Sequence, residues 1–309
     1  MDTESFKQWM SDGGFLFQHL MFDGIDNTTV LSANRSEMAL EEMCLFHRTV
    51  TSGDDYLNRL HAYIGHAADA RKPGPVVRFA DGEYAFYGLS LHCNGLYHQA
   101  ESVDAIHAAI PLHAEALEYL SAGGLIAPLI FPGNVTVTSS RRPWYQLFKR
   151  YETPAWGLGF LDFLQHHGVV LNADNYIPFY TVYAYLTSSL FFDWIDGRSL
   201  CIIGSEYHSL ACQRWFGAAG SRPALSFTKV PEAYVATRWP EYRNDILEAL
   251  PSEAELCLVG AGIGSLLVCT DVARRLDCPV IDAGHIMNLM NGREEKSNGA
   301  RLFTRRPGG

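Results

Sequence analysis

From Val76 onward the chain alternates between two kinds of segment, and that alternation limits its fold more than any other feature. Short apolar, β-branched runs read as buried strands: Val76 to Phe79, Leu125 to Phe131, Val169 to Leu171, Leu200 to Ile203, Leu225 to Val230, Leu256 to Val259 and Pro279 to Ile281. Between them lie helix-length stretches: Val103 to Ser121, Pro178 to Trp194, Glu206 to Ala218, Pro240 to Leu250 and Gly264 to Leu276. Strands alternating with helices imply right-handed βαβ units and a mostly parallel sheet covered on both faces, an α/β fold. Ligands of such folds bind at the carboxyl ends of the strands, so the informative residues should follow the strands directly.

The first ~70 residues differ. They carry helix-type patterns over Glu37 to Val50 and Asp54 to Ala70 and no convincing strand, and Lys72-Pro73-Gly74-Pro75 then breaks the chain as a loop. The expected division is a helical N-terminal extension over 1–72 and a catalytic domain over 73–309. Docking a partner and forming a homo-oligomer are both open roles for the extension.

Composition removes several classes. A net charge of −10 argues against nucleic acid as the main partner, because phosphate neutralisation needs clustered Lys and Arg. Seven scattered cysteines with no Cys-x-x-Cys pair read as reduced, buried thiols, which points to the cytoplasm. The N-terminus has no basic stretch followed by an apolar one, so no signal peptide is read. The most apolar run, Tyr176 to Phe192, is shorter than the ~20 residues of a membrane span and carries Pro178, Thr181, Thr187, Ser188 and Ser189.

Three segments could carry chemistry. The first strand runs into Arg78-Phe79-Ala80-Asp81-Gly82-Glu83. In an extended or turning backbone residues i and i+2 point the same way, so Asp81 and Glu83 could offer two carboxylates to one Mg²⁺ or Mn²⁺. The competing reading is structural, with Asp81 as a helix N-cap and Glu83 an acid in the first turn. Near the C-terminus, Leu256 to Val259 leads into Gly260-Ala261-Gly262-Ile263-Gly264-Ser265. Glycines between strand and helix let backbone N–H groups approach a phosphate. Asp282 ends the next strand, 22 residues after Gly260, as the ribose-binding acid of a dinucleotide site would. Ser265, however, stands where the third small residue belongs. His285 follows Asp282 closely and could contact phosphate or move a proton. In the polar tail, Lys296 and Arg301 could clamp a diphosphate, or simply be solvated.

These segments resemble those of the GT-D type glycosyltransferases. Arg78 to Glu83 is similar to that family's Arg-Phe-Gly-Asp-Gly-Glu segment. Val259 to Gly262 and Ile281-Asp282-Ala283-Gly284-His285-Ile286 are similar to its late glycine loop and its Asp-Ile-Gly-His-Ile segment, in the same order over residues ~75 to 290. The resemblance implies a Rossmann-like transferase, a nucleotide-sugar donor (a UDP-sugar first) and a saccharide or glycosylated acceptor. It implies Asp81 and Glu83 as the site of a divalent metal, His285 as a donor-site residue and Arg78 as a donor-phosphate contact. Two departures are plain. Ala80 replaces a glycine, and Met287 to Gly292 stands where the family continues into acidic and aromatic residues, so the acid that would serve as base is not in its place. Two other functions stay open: an NAD(P)-dependent oxidoreductase using the Gly260–Gly264 loop, and a non-catalytic nucleotide-binding protein.

Overall fold

A computed structural model describes residues 1–23, 43–91, 99–135 and 155–293. Its centre is a six-stranded sheet built from β3 (Gly74–Phe79), β4 (Leu125–Pro128), β5 (Ser199–Gly204), β6 (Ala224–Lys229), β7 (Leu256–Gly260) and β8 (Pro279–Asp282). Every adjacent pair is parallel, in the order β4-β3-β8-β7-β5-β6. The fold is α/β and Rossmann-like. The inner strands are nearly continuous apolar runs because both of their faces are covered, as parallel sheets require.

The chain leaves β3 and β7 for a strand on one side, β4 and β8 respectively, and leaves β5 for β6 on the other side. Right-handed crossovers therefore put the linking helices on opposite faces. The helices α4 (Val103–Gly123), α9 (Val235–Glu248) and α10 (Ser265–Leu276) pack on one another on one face. On the other lie α2 (Gly53–Asp69), α6 (Phe179–Leu186), α7 (Ser189–Ile195) and α8 (Ser209–Ala218). Reversal of winding direction between neighbouring strands opens a crevice at their carboxyl ends.

The remaining helices are short or peripheral: α1 (Thr3–Gly13), α3 (Asp81–Tyr87), α5 (Trp156–His166) and α11 (Ile286–Met290). Among the described residues no helix is long and apolar enough to cross a membrane.

The N-terminal region is not purely helical. Phe15–His19 (β1) and Met43–His47 (β2) form an antiparallel pair, where Glu37 to Val50 had read as one helix. Met43 to His47 alternates weakly and is a strand because β1 pairs with it, while Leu45 N–H also reaches Ile130 O at 3.1 Å. Pairing of this kind is a tertiary decision that local propensity does not carry. The helix expected over Asp54 to Ala70 is α2, closed by a capping box in which Ser52 Oγ accepts Asp55 N–H (3.1 Å) and Asp55 Oδ2 accepts Ser52 N–H (3.0 Å).

Three further expectations change. Val169 to Leu171 forms no strand, and Val170 is 63% exposed. Pro178 to Trp194 is two helices, because Ser188 leaves the helical path and its Oγ accepts Phe191 N–H to start α7. The helix placed at Pro240 starts five residues earlier, at Val235, and contains the proline.

Candidate functional site

A cleft of about 350 Å³ lies across the carboxyl ends of the sheet strands. It collects Arg78, Asp81 and Glu83 from the end of β3, Gly260 and Gly262 from the end of β7, and Asp282 and His285 from the end of β8. Segments some 200 residues apart in sequence meet here because β3, β8 and β7 are consecutive in the sheet.

The floor is a buried ion pair. Arg78 and Asp282 are 7% and 4% exposed. Arg78 Nη2 donates to Asp282 Oδ1 at 3.0 Å and Nε donates to the Asp282 carbonyl at 2.8 Å. Nη1 donates to the Tyr183 hydroxyl. The guanidinium carbon sits 4.5 Å from the Tyr183 ring centroid and 5.0 Å from that of Phe179, within cation–π range. Tyr183 and Phe179 belong to α6, and burial pushes the Tyr183 hydroxyl up to about 12, so it stays neutral. Gly284 is part of the same construction. Its φ is +48°, and a Cβ there would stand 1.8 Å from Arg78 Nη2, so only glycine leaves room for the guanidinium.

Asp81 and Glu83 reach the cleft differently from the extended arrangement expected of them. Ala80, not Asp81, is the N-cap of α3; Asp81 is its first residue and Glu83 its third. Residues two apart on a helix do not share a face. Asp81 is exposed at the cleft rim, with no side-chain hydrogen bond among the described residues. Glu83 folds back, and its Oε2 accepts the Ala80 N–H at 2.8 Å. Burial, aided by the charge of Asp282, pushes the Glu83 carboxyl up to about 7, against the pull of the Ala80 N–H and Arg78. The capping role of Glu83 and its place in the cleft thus coexist.

The glycine turn is more closed than an open phosphate cradle. Ala261 N–H donates to Ser265 Oγ (3.2 Å), Ile263 N–H to Gln99 Oε1 (2.9 Å), Gly264 N–H to Ala261 O (3.1 Å) and Ser265 N–H to Gly262 O. Within residues 261–265 this leaves the Gly262 N–H, at the exposed tip, as the amide able to face a ligand. Gly264 and Ser265 do not line the cleft. Gly264 lies under Val235, and the Ser265 hydroxyl holds the turn from behind. Gly262 has φ +55°, and a Cβ would meet the Gln99 amide at 2.5 Å. Gly262→Ala is therefore expected to cost about 1–2 kcal/mol through the left-handed backbone alone. Urea unfolding checks this, and a loss below a few tenths would mean that the turn relaxes freely.

Sequence reading did not single out Gln99, Glu206, Glu232 or Asn288, which also line the cleft. None stands in a motif; the sheet order brings them in. Lys296 and Arg301 lie outside the described residues. Within the apolar run Tyr176 to Phe192, Phe179 and Tyr183 wall the cleft, whereas Tyr176 is buried and donates to Leu45 O.

The charge balance of the described lining is negative. The carboxylates are Asp81, Glu83, Glu206, Glu232 and Asp282, and the guanidiniums are Arg78 and Arg293. Both guanidiniums are already paired, Arg78 with Asp282 and Arg293 with Glu206. Asp81, Glu83 and Glu232 have no ion pair among the described residues. A diphosphate would be repelled here unless a cation accompanied it. No cluster of three or more ligating side chains exists among the described residues. Asp81 and Glu83 are two carboxylates at most, so a Mg²⁺ or Mn²⁺ here would need substrate phosphate and water to complete its shell, and Glu83 would share its oxygens with the Ala80 N–H.

No protein-family model, curated protein or solved structure matches the chain.

Proposed function

We propose that this chain is a glycosyltransferase, moving a sugar from a nucleotide-sugar donor to an acceptor hydroxyl with a divalent cation at Asp81 and Glu83. One observation carries the reading: the Asp81–Glu83 segment, the Gly262 tip and the Asp282–His285 segment line a single cleft whose surplus negative charge calls for a cation beside any diphosphate.

In this reading the acceptor oxygen attacks the anomeric carbon, the bond from that carbon to the diphosphate oxygen breaks, and the acceptor proton passes to a base. Asp81 and Glu83 would hold Mg²⁺ or Mn²⁺, which when bound neutralises the charge gathering on the leaving diphosphate. The Gly262 N–H supports a phosphate oxygen. The Arg78–Asp282 pair fixes the end of β8 and so aims His285, which positions or deprotonates the acceptor. Phe179 offers a flat apolar wall beside it. A UDP-sugar is the first donor to test.

The dinucleotide reading has less support. Asp282, the acid it needs for a ribose, is engaged by the Arg78 guanidinium, the Arg78 N–H and the Gly284 N–H.

The test is nucleotide release from a panel of UDP- and other nucleotide-sugars with Mn²⁺ or Mg²⁺. Chelation, Asp81→Asn and Glu83→Gln should each lower the rate by roughly 100-fold, since such stabilisation is worth several kcal/mol. Glu83→Gln retains an oxygen for the Ala80 N–H, so its effect reports the charge and not the cap. Release unchanged by all three would end the metal reading, and no release from any donor would end the transferase reading.

A further inference from the structure

The cleft has two chemically different ends. At β3 and β8 lie Asp81, Glu83, the Arg78–Asp282 pair and the aromatic wall. At β5, β6 and α11 lie Ser205, Glu206, Glu232, Asn288 and Arg293. In the sheet β3 and β5 are separated by β8 and β7, three strand spacings or roughly 14 Å. A phosphate held at Asp81 therefore stops short of the second end, leaving room there for a second sugar beside the donor's.

The second end is rigidly framed. Asn291 is buried; its Oδ1 accepts the His208 N–H at 2.7 Å and its Nδ2 donates to Met287 O at 2.9 Å. That ties α11 to the loop after β5, and Arg293 then pairs with the Glu206 carboxylate. Asn288 is half-buried, and its side chain has no partner among the described residues. The inventory offered to a ligand is an amide that both donates and accepts, a hydroxyl that does both, and carboxylate oxygens that accept. Sugar hydroxyls, each a donor and an acceptor, match that mixture. The one described cation at this end, Arg293, is spent on Glu206, and Glu232 adds an unpaired negative charge.

Resting on the transferase reading, we infer that the β5–β6 end of the cleft is the acceptor subsite and that it takes an uncharged saccharide, not a phosphorylated or uronic-acid one. Anionic acceptors would meet Glu206 and Glu232 with no free cation among the described residues to receive them.

Sugar binding is measured on the full chain without donor, by saturation-transfer NMR, so the outcome does not depend on whether nucleotide is released. The probes are methyl glucoside, methyl galactoside and methyl N-acetylglucosaminide, against methyl glucuronide, glucose 6-phosphate and glucosamine. At least one uncharged sugar should bind, with the two anionic sugars at least tenfold weaker. Asn288→Ala and Glu206→Gln should each weaken that sugar at least tenfold. Equal or tighter binding of an anionic sugar overturns the inference, and so does preference for glucosamine, which would make this a cation site. Absence of binding by every uncharged sugar, or binding untouched by both substitutions, overturns it as well. If nucleotide release fails while sugars bind as described, the transferase reading falls and the saccharide subsite stands.

Discussion

Arg78→Ala is expected to lower the free energy of unfolding by roughly 3–5 kcal/mol, the usual cost of stranding one member of a buried ion pair. The reason is specific to the floor of the cleft. Asp282, 4% exposed, would keep the Gly284 N–H and the N–H of residue 78 as partners but lose the guanidinium that neutralises it. Tyr183 would lose its bond from Arg78, and the space that Gly284 leaves open would be empty. Arg78→Lys should recover only part of the loss, because an ammonium cannot serve Asp282 Oδ1, the Asp282 carbonyl and Tyr183 from one plane. Replacing both partners, Arg78→Met with Asp282→Leu, should regain most of the stability, since well-packed apolar pairs often equal buried ion pairs. On the proposed transferase reading the double variant should nevertheless release no nucleotide, because the end of β8 that would aim His285 has lost its anchor. Urea unfolding of the three variants, with nucleotide release beside it, separates the two roles. A single-variant loss below about 1 kcal/mol would mean that the pair is solvated and that the floor of the site is misassigned.

That floor illustrates what the sequence could and could not disclose. The inner strands of the parallel sheet are legible because burial on both faces makes them nearly continuous apolar runs. The site segments were legible because ligands gather where such strands end. Arg78 and Asp282 were marked separately, one as a phosphate contact and one as a ribose acid. That they neutralise each other follows from β3 and β8 being neighbours, and no local pattern encodes sheet order. The same limit hid Gln99, which takes the Ile263 N–H from 164 positions away, and Glu206, held by Arg293. Asp81 and Glu83 show a different failure. Their spacing suits an extended backbone, whereas the chain enters α3 at Asp81, so that Glu83 curls back onto the Ala80 cap. Both residues still line the cleft, but by position at a helix start and not by shared direction. Met43 to His47 was missed because a short strand takes its identity from its partner, here β1.

His113 should make the fold acid-sensitive well above the range of ordinary carboxylates. It is fully buried on α4, between α3 and α9. Its Nε2 lies 2.8 Å from the Ala236 carbonyl, which can only accept, so Nε2 carries the proton and Nδ1 accepts the Tyr87 hydroxyl at 3.0 Å. Burial pushes its pKa down from 6.5 to about 4, outweighing the Ala236 carbonyl, which favours the charged form. The folded chain therefore binds this proton less readily than the unfolded chain does. Its contribution is fully present above pH 6.5 and is lost as the pH falls from there towards 4. The gap between those values corresponds to roughly 3 kcal/mol, most of it gone by about pH 4.5. His113→Gln keeps a donor for Ala236 and an acceptor for Tyr87 without a titrating group. Carboxylates elsewhere titrate equally in both proteins, so the difference between their unfolding free energies isolates the histidine. Between pH 7.5 and 4.5 that difference should shift by about 2 kcal/mol or more in favour of the glutamine variant. Because Tyr87 ends the helix that begins at Asp81, the same protonation should loosen the Asp81–Glu83 end of the cleft before the sheet itself melts. Hydrogen exchange at α3 would then rise at pH 5 in the wild type and stay low in His113→Gln. Parallel acid profiles for the two proteins would show that residue 113 is charged or hydrated within the fold, and the link between its burial and the site helix would be broken.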